Sequence, residues 1–162
     1  MPSSTDIELI YAVKEYKEVI KNLMQFYIYD FSEYVDYDVE ENGLFSAYSN
    51  IEDYWKETGD KFPYVIKKHG KYVGFILVKA IKSQNEGCSI AEFFVLKKYR
   101  GQGIGRAAAT HLFGLHKGLW EVHQLENNQP AQQFWMNVIS DFTKGQFSDC
   151  FENGRRIQHF RS

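Results

Sequence analysis

The sequence predicts a mixed α/β domain of the α+β kind, with a mostly antiparallel sheet of about seven strands and flanking helices. Short runs of β-forming residues alternate with segments in which apolar residues recur at helical spacing. The run from Ser89 to Leu125 has strand, helix and strand in succession, which predicts one crossover unit. The length of 162 residues suits one domain, which we expect to span residues 1–162.

The first third of the chain predicts one strand followed by two helices. Ile7–Tyr11 alternates apolar and polar residues, as a strand does. Apolar side chains recur at helical spacing from Lys14 to Tyr34, which predicts a long helix. A polar loop over residues 36–50 should follow, and Asn50 can cap a short helix from Ile51 to Glu57.

The rest of the chain predicts six strands and two helices. The strands are expected over residues 64–66, 72–80, 89–96, 120–125, 147–151 and 156–160, and the helices over residues 103–113 and 130–139. His69-Gly70-Lys71 predicts a tight turn between the first two of these strands, and Asn153-Gly154 predicts a hairpin between the last two. Alanines after Gly103 favour the first helix, and Pro130 suits the first turn of the second.

Composition and charge exclude several classes of protein. The net charge of −2 indicates no bulk attraction to nucleic acid. No apolar run approaches the roughly 18 residues of a membrane span, and the first residues lack a signal-peptide pattern. Cys88 and Cys150 are far apart, and His111 and His116 have the wrong spacing for a shared metal. We therefore expect a cytoplasmic protein without a metal, a nucleic-acid partner or a membrane partner.

The acidic segment, residues 30–60, has an unusual charge balance. It contains ten carboxylates, and Lys56 is its only base. Several aromatic residues lie among them, including Phe31, Tyr34 and Tyr37. Two interpretations stay open: a solvated surface, or a mouth that attracts a cationic amine through charge and aromatic faces.

A glycine-rich turn, residues 100–105, lies between the strand ending at Leu96 and the alanine-rich helix. Free N–H groups at a helix N-terminus bind phosphate oxygens, and glycines let a ligand approach the backbone closely. Lys97, Lys98, Arg100 and Arg106 add positive charge there. A Rossmann fingerprint is excluded by Arg106, and a Walker A ending is absent from the sequence. The turn is therefore predicted to bind a polyanion.

Two motifs identify the family that the chain resembles. Val95 to Ala107, with its R-x-x-G-x-G turn, resembles the acyl-CoA-binding motif of the GNAT superfamily of N-acetyltransferases. Asn128 to Trp135 is similar to the family's N-x-x-A-x-x-F-[YW] segment. The resemblance covers roughly residues 62–140. It implies a GNAT-type sheet with splayed fourth and fifth strands, and acetyl-CoA as the cosubstrate.

The resemblance also implies which residues contact the cofactor. The backbone of Phe94 and Val95 would contact the pantetheine arm, and the Val95 N–H would polarise the thioester carbonyl. Asn128 would contact the arm from the opposite side, and Trp135 would pack along it. The full predicted set is Phe94, Val95, Arg100, Gly101, Gln102, Gly103, Ile104, Gly105, Arg106, Asn128, Ala131 and Trp135.

The predicted catalytic base is Glu92, because several relatives carry a catalytic glutamate on the fourth strand. The alternative is a solvent-facing strand residue, with Glu126, Glu121 and His123 as weaker candidates for the base. Trp135 stands where many members have the tyrosine that protonates the departing thiolate. That proton would come from Tyr99 or water, or the thiolate would leave unaided.

Two functions agree with these observations. The first is an acetyl-CoA-dependent N-acetyltransferase that acts on a primary amine, either a small molecule or a peptide amino group. The second is a non-catalytic acyl-CoA-binding regulatory module, which Trp135 and the altered Ser140-Asp141-Phe142 favour slightly. A homodimer is also considered, because the family often dimerises.

Overall fold

The computed structural model describes residues 6–46, 48–82 and 87–162. The strands are β1 (Ile7–Tyr11), β2 (Lys61–Lys68), β3 (Lys71–Ile81), β4 (Gly87–Val95), β5 (Leu119–Leu125), β6 (Ser148–Glu152) and β7 (Arg155–Arg161). The α-helices are α1 (Lys17–Phe31), α2 (Ile104–Leu115) and α3 (Gln129–Thr143). Short 3-10 helices cover Lys14–Tyr16, Ile51–Trp55 and Lys97–Tyr99. The strands form one sheet in the order β1-β2-β3-β4-β5-β7-β6, and β4 and β5 are its parallel pair. The predicted fold class is confirmed.

The structure moves several predicted boundaries. The helix predicted from Lys14 to Tyr34 begins with a 3-10 turn, and α1 ends at Phe31, where the Ser32 hydroxyl bonds the Tyr29 carbonyl. The short helix after Asn50 is a 3-10 helix, and the Asn50 side chain makes no capping hydrogen bond. The predicted turns are correct: His69 and Gly70 have positive φ angles, as do Asn153 and Gly154.

Helices cover both faces of the sheet and bury two groups of side chains. On one face, α2 and α3 bury Leu112, Phe113 and Ile139 against Trp120 of β5. On the other face, α1 packs on β2, β3 and β4 through a second set of buried side chains, which includes Ile20, Met24, Val65, Phe75, Leu77 and Phe94. Burial of this apolar surface fixes which face each β4 side chain meets.

Strands β4 and β5 separate after a short paired stretch. They pair only at Gly87–Leu119, Cys88–Trp120 and Ser89–Glu121. Beyond that point β4 follows β3 to Val95, and β5 follows β7 to Leu125. The sheet therefore opens into a gap toward the carboxyl ends of β4 and β5, which confirms the predicted splay.

A β-bulge lies at the start of this gap. Leu77 of β3 faces Glu92 and Val78 faces Ile90, so Ala91 is the extra residue of β4. A bulge re-aims the side chains that follow it. Phe94 and Ala91 pack with the α1 group, whereas Phe93 and Val95 pack with the α2 and α3 group. The bulge thus turns Glu92 toward α1. Within the described part of the chain, no helix is long and apolar enough to cross a membrane.

Candidate active site

A cleft of about 790 Å³ lies where the glycine-rich turn, the end of β4, α3 and the end of α1 meet. Eleven of the twelve residues predicted to bind the cofactor line it: Phe94, Val95, Arg100, Gly101, Gly103, Ile104, Gly105, Arg106, Asn128, Ala131 and Trp135. Gln102 does not line the cleft, because its side chain donates to the Lys98 carbonyl and accepts from Lys68. The cleft is large enough for a cofactor-sized ligand.

The glycine-rich turn presents the N-terminus of α2 to this cleft. Gly101 has a φ of +73° and Gly103 a φ of +78°, in the left-handed region that favours glycine. Gly103 is the N-cap residue of α2 and makes no side-chain capping bond. The first N–H groups of a helix have no intrahelical partner. With Lys97 and Arg106 beside them, these amides can bind an anion.

Gly105 has a different reason to be glycine. A Cβ atom at this position would lie 3.0 Å from the Phe134 ring and 3.6 Å from the Phe93 ring. These two rings belong to α3 and β4 and also line the cleft. Gly105 therefore allows α2 to approach α3 closely at the floor of the cleft.

The end of β4 offers a backbone donor to the gap. The Leu96 N–H donates to the Val73 carbonyl at 2.8 Å, so this opposed pair is a hydrogen-bonded one. Opposed pairs alternate along antiparallel strands, which makes the neighbouring pair, Gly74 and Val95, a non-hydrogen-bonded pair. The Val95 N–H consequently points away from β3 and into the gap between β4 and β5.

Glu92 lies on the α1 side of β4 and is half-buried. The Tyr27 hydroxyl donates a hydrogen bond to its carboxylate. Burial raises the pKa of the Glu92 carboxyl, and the hydroxyls of Tyr27 and Tyr48 oppose that rise. Glu92 itself is not part of the cleft wall, but Tyr27 and the adjacent Phe94 are. The Glu92 carboxylate, held by Tyr27, can accept a proton near the cleft.

The gap, the cradle of amides and the basic side chains fit the pyrophosphate and pantetheine of an acyl-CoA. A family model described as "Acetyltransferase (GNAT) family" matches residues 19–137 of the sequence. The match spans more than half of the chain and includes the turn, β4 and most of α3. The chain belongs to the GNAT family of acetyltransferases.

Solved structures share this GNAT fold across nearly the whole chain. An acetyltransferase from Thermus thermophilus has a TM-score of 0.71 at 11% identity, covering 96% of this chain and 97% of its own. The ribosomal-protein-S18-alanine N-acetyltransferase from Escherichia coli has a TM-score of 0.65 at 11% identity, with 96% and 93% covered. The PaiA N-acetyltransferase from Thermoplasma acidophilum, in complex with coenzyme A, has a TM-score of 0.65 at 14% identity, with 96% and 99% covered. No curated protein matches the sequence.

Arg100 of this GNAT domain is engaged within the protein. Its guanidinium donates to the Val95 carbonyl at 2.8 Å, pairs with the Asp30 carboxylate and lies over the Phe94 ring. The motif alone assigned its charge to the cofactor. The structure shows a second use: the side chain joins the glycine-rich turn to the end of α1. The sequence gives no signal for this contact, because Asp30 and Arg100 are 70 residues apart.

The α3 residues of the family motif have structural partners. The Asn128 side chain accepts from the Ala131 N–H at 3.1 Å and so caps α3. Trp135 is 6% exposed, and its ring centroid lies 4.9 Å from those of Phe93 and Phe134. Trp135 therefore packs in the core and also lines the cleft. In the altered segment, Asp141 pairs with Arg106, and Phe142 packs on Phe113.

The weaker candidates for the base lie elsewhere. Glu126 is exposed, and the Glu121 carboxylate pairs with both His123 and His159. Burial alone would raise the pKa of Glu121, but the two imidazoles more than offset it, and the net pKa is lowered. Among the residues that the structure describes, no group of three or more His, Cys, Asp or Glu side chains is arranged to hold a metal ion.

The sequence interpretation missed the contribution of α1 to the cleft. Tyr27, Asp30 and Phe31 of α1 line the cleft, together with Glu33 and Tyr34 just after the helix. Tyr27 and Phe31 lie on the apolar face of the helix predicted from Lys14 to Tyr34, and such a face is compatible with a cleft wall but does not predict one. Asp30, Phe31, Glu33 and Tyr34 also belong to the acidic segment, which is the signal that the sequence offers.

Proposed function

We propose that this GNAT domain, residues 1–162, is an acetyl-CoA-dependent N-acetyltransferase that transfers the acetyl group to a primary amine by direct attack. The main support is one geometric observation. The N-terminus of α2 and the separated edge of β4 open into the same cleft. At the border of this cleft the Tyr27 hydroxyl donates a hydrogen bond to the Glu92 carboxylate. In this proposal the pyrophosphate site and the thioester site would lie side by side.

The residues of the cleft divide between these two sites. Amides at Gly103, Ile104 and Gly105 would hold the pyrophosphate, with Arg106 adding charge. The Val95 N–H would bind the thioester oxygen, where negative charge develops. Acetyl-CoA, when bound, supplies an activated acetyl group on a thiol leaving group. Since a thiol has a pKa of ~8.5, it can leave without a strong acid, and Tyr99 lines the cleft as a candidate donor.

Glu92 is proposed as the general base. An attacking amine must lose a proton, and most amines are protonated at neutral pH. The raised pKa of the Glu92 carboxyl makes the carboxylate a better proton acceptor than an exposed glutamate. Because Glu92 lies behind the cleft wall, we infer that one water carries the proton to it.

The acceptor is proposed to be a cationic amine that enters past the end of α1. Asp30 and Glu33 line this end of the cleft together with Phe31 and Tyr34. Carboxylates and aromatic faces favour a protonated amine before it reaches the base. A cytoplasmic location and a homodimer stay predictions from the sequence.

The proposal is tested by incubating the protein with acetyl-CoA and a panel of amines while free thiol is detected. Small amines, polyamines and peptides with free N-termini form the panel. We expect thiol release that depends on the amine, and a rise in melting temperature with acetyl-CoA, since a ligand of the folded state stabilises it. A thermal shift with no thiol release from any amine would favour the regulatory module. A shift with NAD or ATP but none with millimolar acetyl-CoA would contradict both functions.

A further inference from the structure

The hydroxyl of Tyr27 donates to the Glu92 carboxylate, and this hydrogen bond joins two distant parts of the chain. Tyr27 lies on α1 and Glu92 on β4, 65 residues apart. Burial, and then the charge of Glu92, raise the pKa of the Tyr27 phenol well above its ordinary value. The phenol therefore keeps its proton at physiological pH and acts as the donor. The Glu92 carboxyl group is the acceptor, and a charged carboxylate accepts such a bond more strongly than a neutral carboxyl group does.

The Tyr27 ring is held in place on three sides. It stacks on Phe31 with ring centroids 5.5 Å apart, and it meets Phe75 and Phe94 nearly edge-on at 5.8 Å. Aromatic pairs at these distances restrict how a ring can turn. The hydroxyl is thus aimed at Glu92 by packing and needs little further ordering to hold the carboxylate. A preorganised donor of this kind fixes a catalytic group more precisely than a mobile one.

Other polar groups face Glu92 from the elements around it. Tyr48 comes from the loop after α1, and Tyr54 from the 3-10 helix at Ile51–Trp55. Arg155 of β7 and Lys79 of β3 also favour the charged carboxylate, but less than the two hydroxyls of Tyr27 and Tyr48 do. Tyr37 lies near enough to Tyr27 and Tyr48 to add to the rise in the pKa of each phenol. Of these groups, Tyr27 alone also lines the cleft.

We propose that Tyr27 is a positioning residue of the acetyl transfer, whose hydroxyl orients the Glu92 carboxylate at the cleft and keeps it charged. The inference rests on the proposed role of Glu92 as the base. It explains why the base lies behind an aromatic wall: the same residue that shields it from solvent supplies its hydrogen bond. It also assigns a chemical role to α1, the helix that packs on the far face of the sheet.

The test is Tyr27→Phe, which keeps the ring and its packing and removes one oxygen. The rate below neutral pH should fall, because the Glu92 carboxylate loses a bond that stabilises its charged form. Its pKa would rise further, so the acidic limb of the kcat profile should move up by about one pH unit. At high pH kcat should recover, and KM for acetyl-CoA should not change. Melting temperature is measured alongside, to separate a folding defect.

Two further variants sharpen the test. Tyr48→Phe also removes a hydroxyl that favours the charged carboxylate, but not one that lines the cleft, and it should shift the limb in the same direction by less. Tyr27→Phe in a Glu92→Gln background should lower kcat no further, since the carboxylate that Tyr27 holds is then absent.

The outcomes separate the two proposals. If Glu92→Gln keeps full activity at every pH, the base assignment fails, and the positioning role fails with it. If Glu92→Gln is slow but Tyr27→Phe has the wild-type pH profile, the base stands and the role of Tyr27 is refuted. If the two losses multiply in the double variant, Tyr27 acts independently of Glu92, which also overturns the inference.

Discussion

A single added methyl group at Gly103 should separate cofactor binding from folding. Gly103 is the N-cap of α2 and has a φ of +78°, so alanine there costs about 1–2 kcal/mol of stability. For a chain of 162 residues this corresponds to a fall in melting temperature of about 2–8 °C. Because Gly103 also lines the cleft at the N-terminus of α2, we expect the methyl group to take up space that a bound phosphate would need. Losing one amide–phosphate bond weakens binding by about 1.5–3 kcal/mol, or roughly 10- to 100-fold.

The matched control is Gly70→Ala, in the turn between β2 and β3. Gly70 has a φ of +72°, and a Cβ atom there would meet nothing within 4 Å. The two variants should therefore lose similar stability, while only Gly103→Ala should lose affinity. Calorimetry or a thermal shift series with acetyl-CoA measures both quantities. Wild-type affinity in a folded Gly103→Ala protein would refute the assignment of the phosphate site to this turn.

Three other predictions concern the frame of the site. Gly74→Ala should lower the free energy of unfolding by about 3 kcal/mol, because the new Cβ atom would lie 2.0 Å from the Phe94 carbonyl oxygen. Gly114→Ala, at an exposed position in α2, should raise it by up to about 1 kcal/mol. Denaturant unfolding of both variants measures the two changes. Arg100→Lys should bind acetyl-CoA as weakly as Arg100→Ala. Lysine keeps the charge, but it cannot contact both the Asp30 carboxylate and the Val95 carbonyl as arginine does. If Arg100→Lys bound acetyl-CoA as tightly as the wild type, charge alone would matter. The last variant replaces four loop carboxylates by amides, with Asp36→Asn, Asp38→Asn, Glu40→Gln and Glu41→Gln. In steady-state kinetics it should have a higher KM for a cationic amine and an unchanged kcat. An unchanged KM would refute steering by the loop.

The fold could be predicted because its determinants are local. Alternating and helical apolar spacing placed the sheet and helices, and Asn153-Gly154 and His69-Gly70 placed two hairpins. Errors fell at the ends of elements, where propensity is weak. Asn50 is an example: in the 3-10 helix that follows it, the Asp53 N–H that its side chain would cap donates instead to the Asn50 backbone carbonyl at 3.1 Å.

The position of the turn to which we assign anion binding could also be predicted, for the same reason. A glycine-rich turn that joins a strand to a helix presents the free N–H groups of the helix N-terminus. Residues 100–106 therefore predict an anion-binding turn without a structure. The partners of its side chains could not be predicted. Arg100 bonds Asp30 and Arg106 bonds Asp141, and charge alone does not say which of many carboxylates a guanidinium will meet.

The placement of Glu92 depends on a feature that the sequence does not signal. Strict alternation from the buried Ile90 would turn Glu92 to the α3 side of the sheet, toward Phe134 and Trp135, and would turn Phe93 to the α1 side. The extra residue at Ala91 reverses this and puts Glu92 beneath Tyr27. A bulge adds one unpaired residue, and its position is set by how β3 and β4 register over the two cores. The chemistry proposed for this GNAT domain therefore depends on a one-residue shift of register in β4: without it the carboxylate would be buried on an apolar wall, with no donor from α1 to keep it charged.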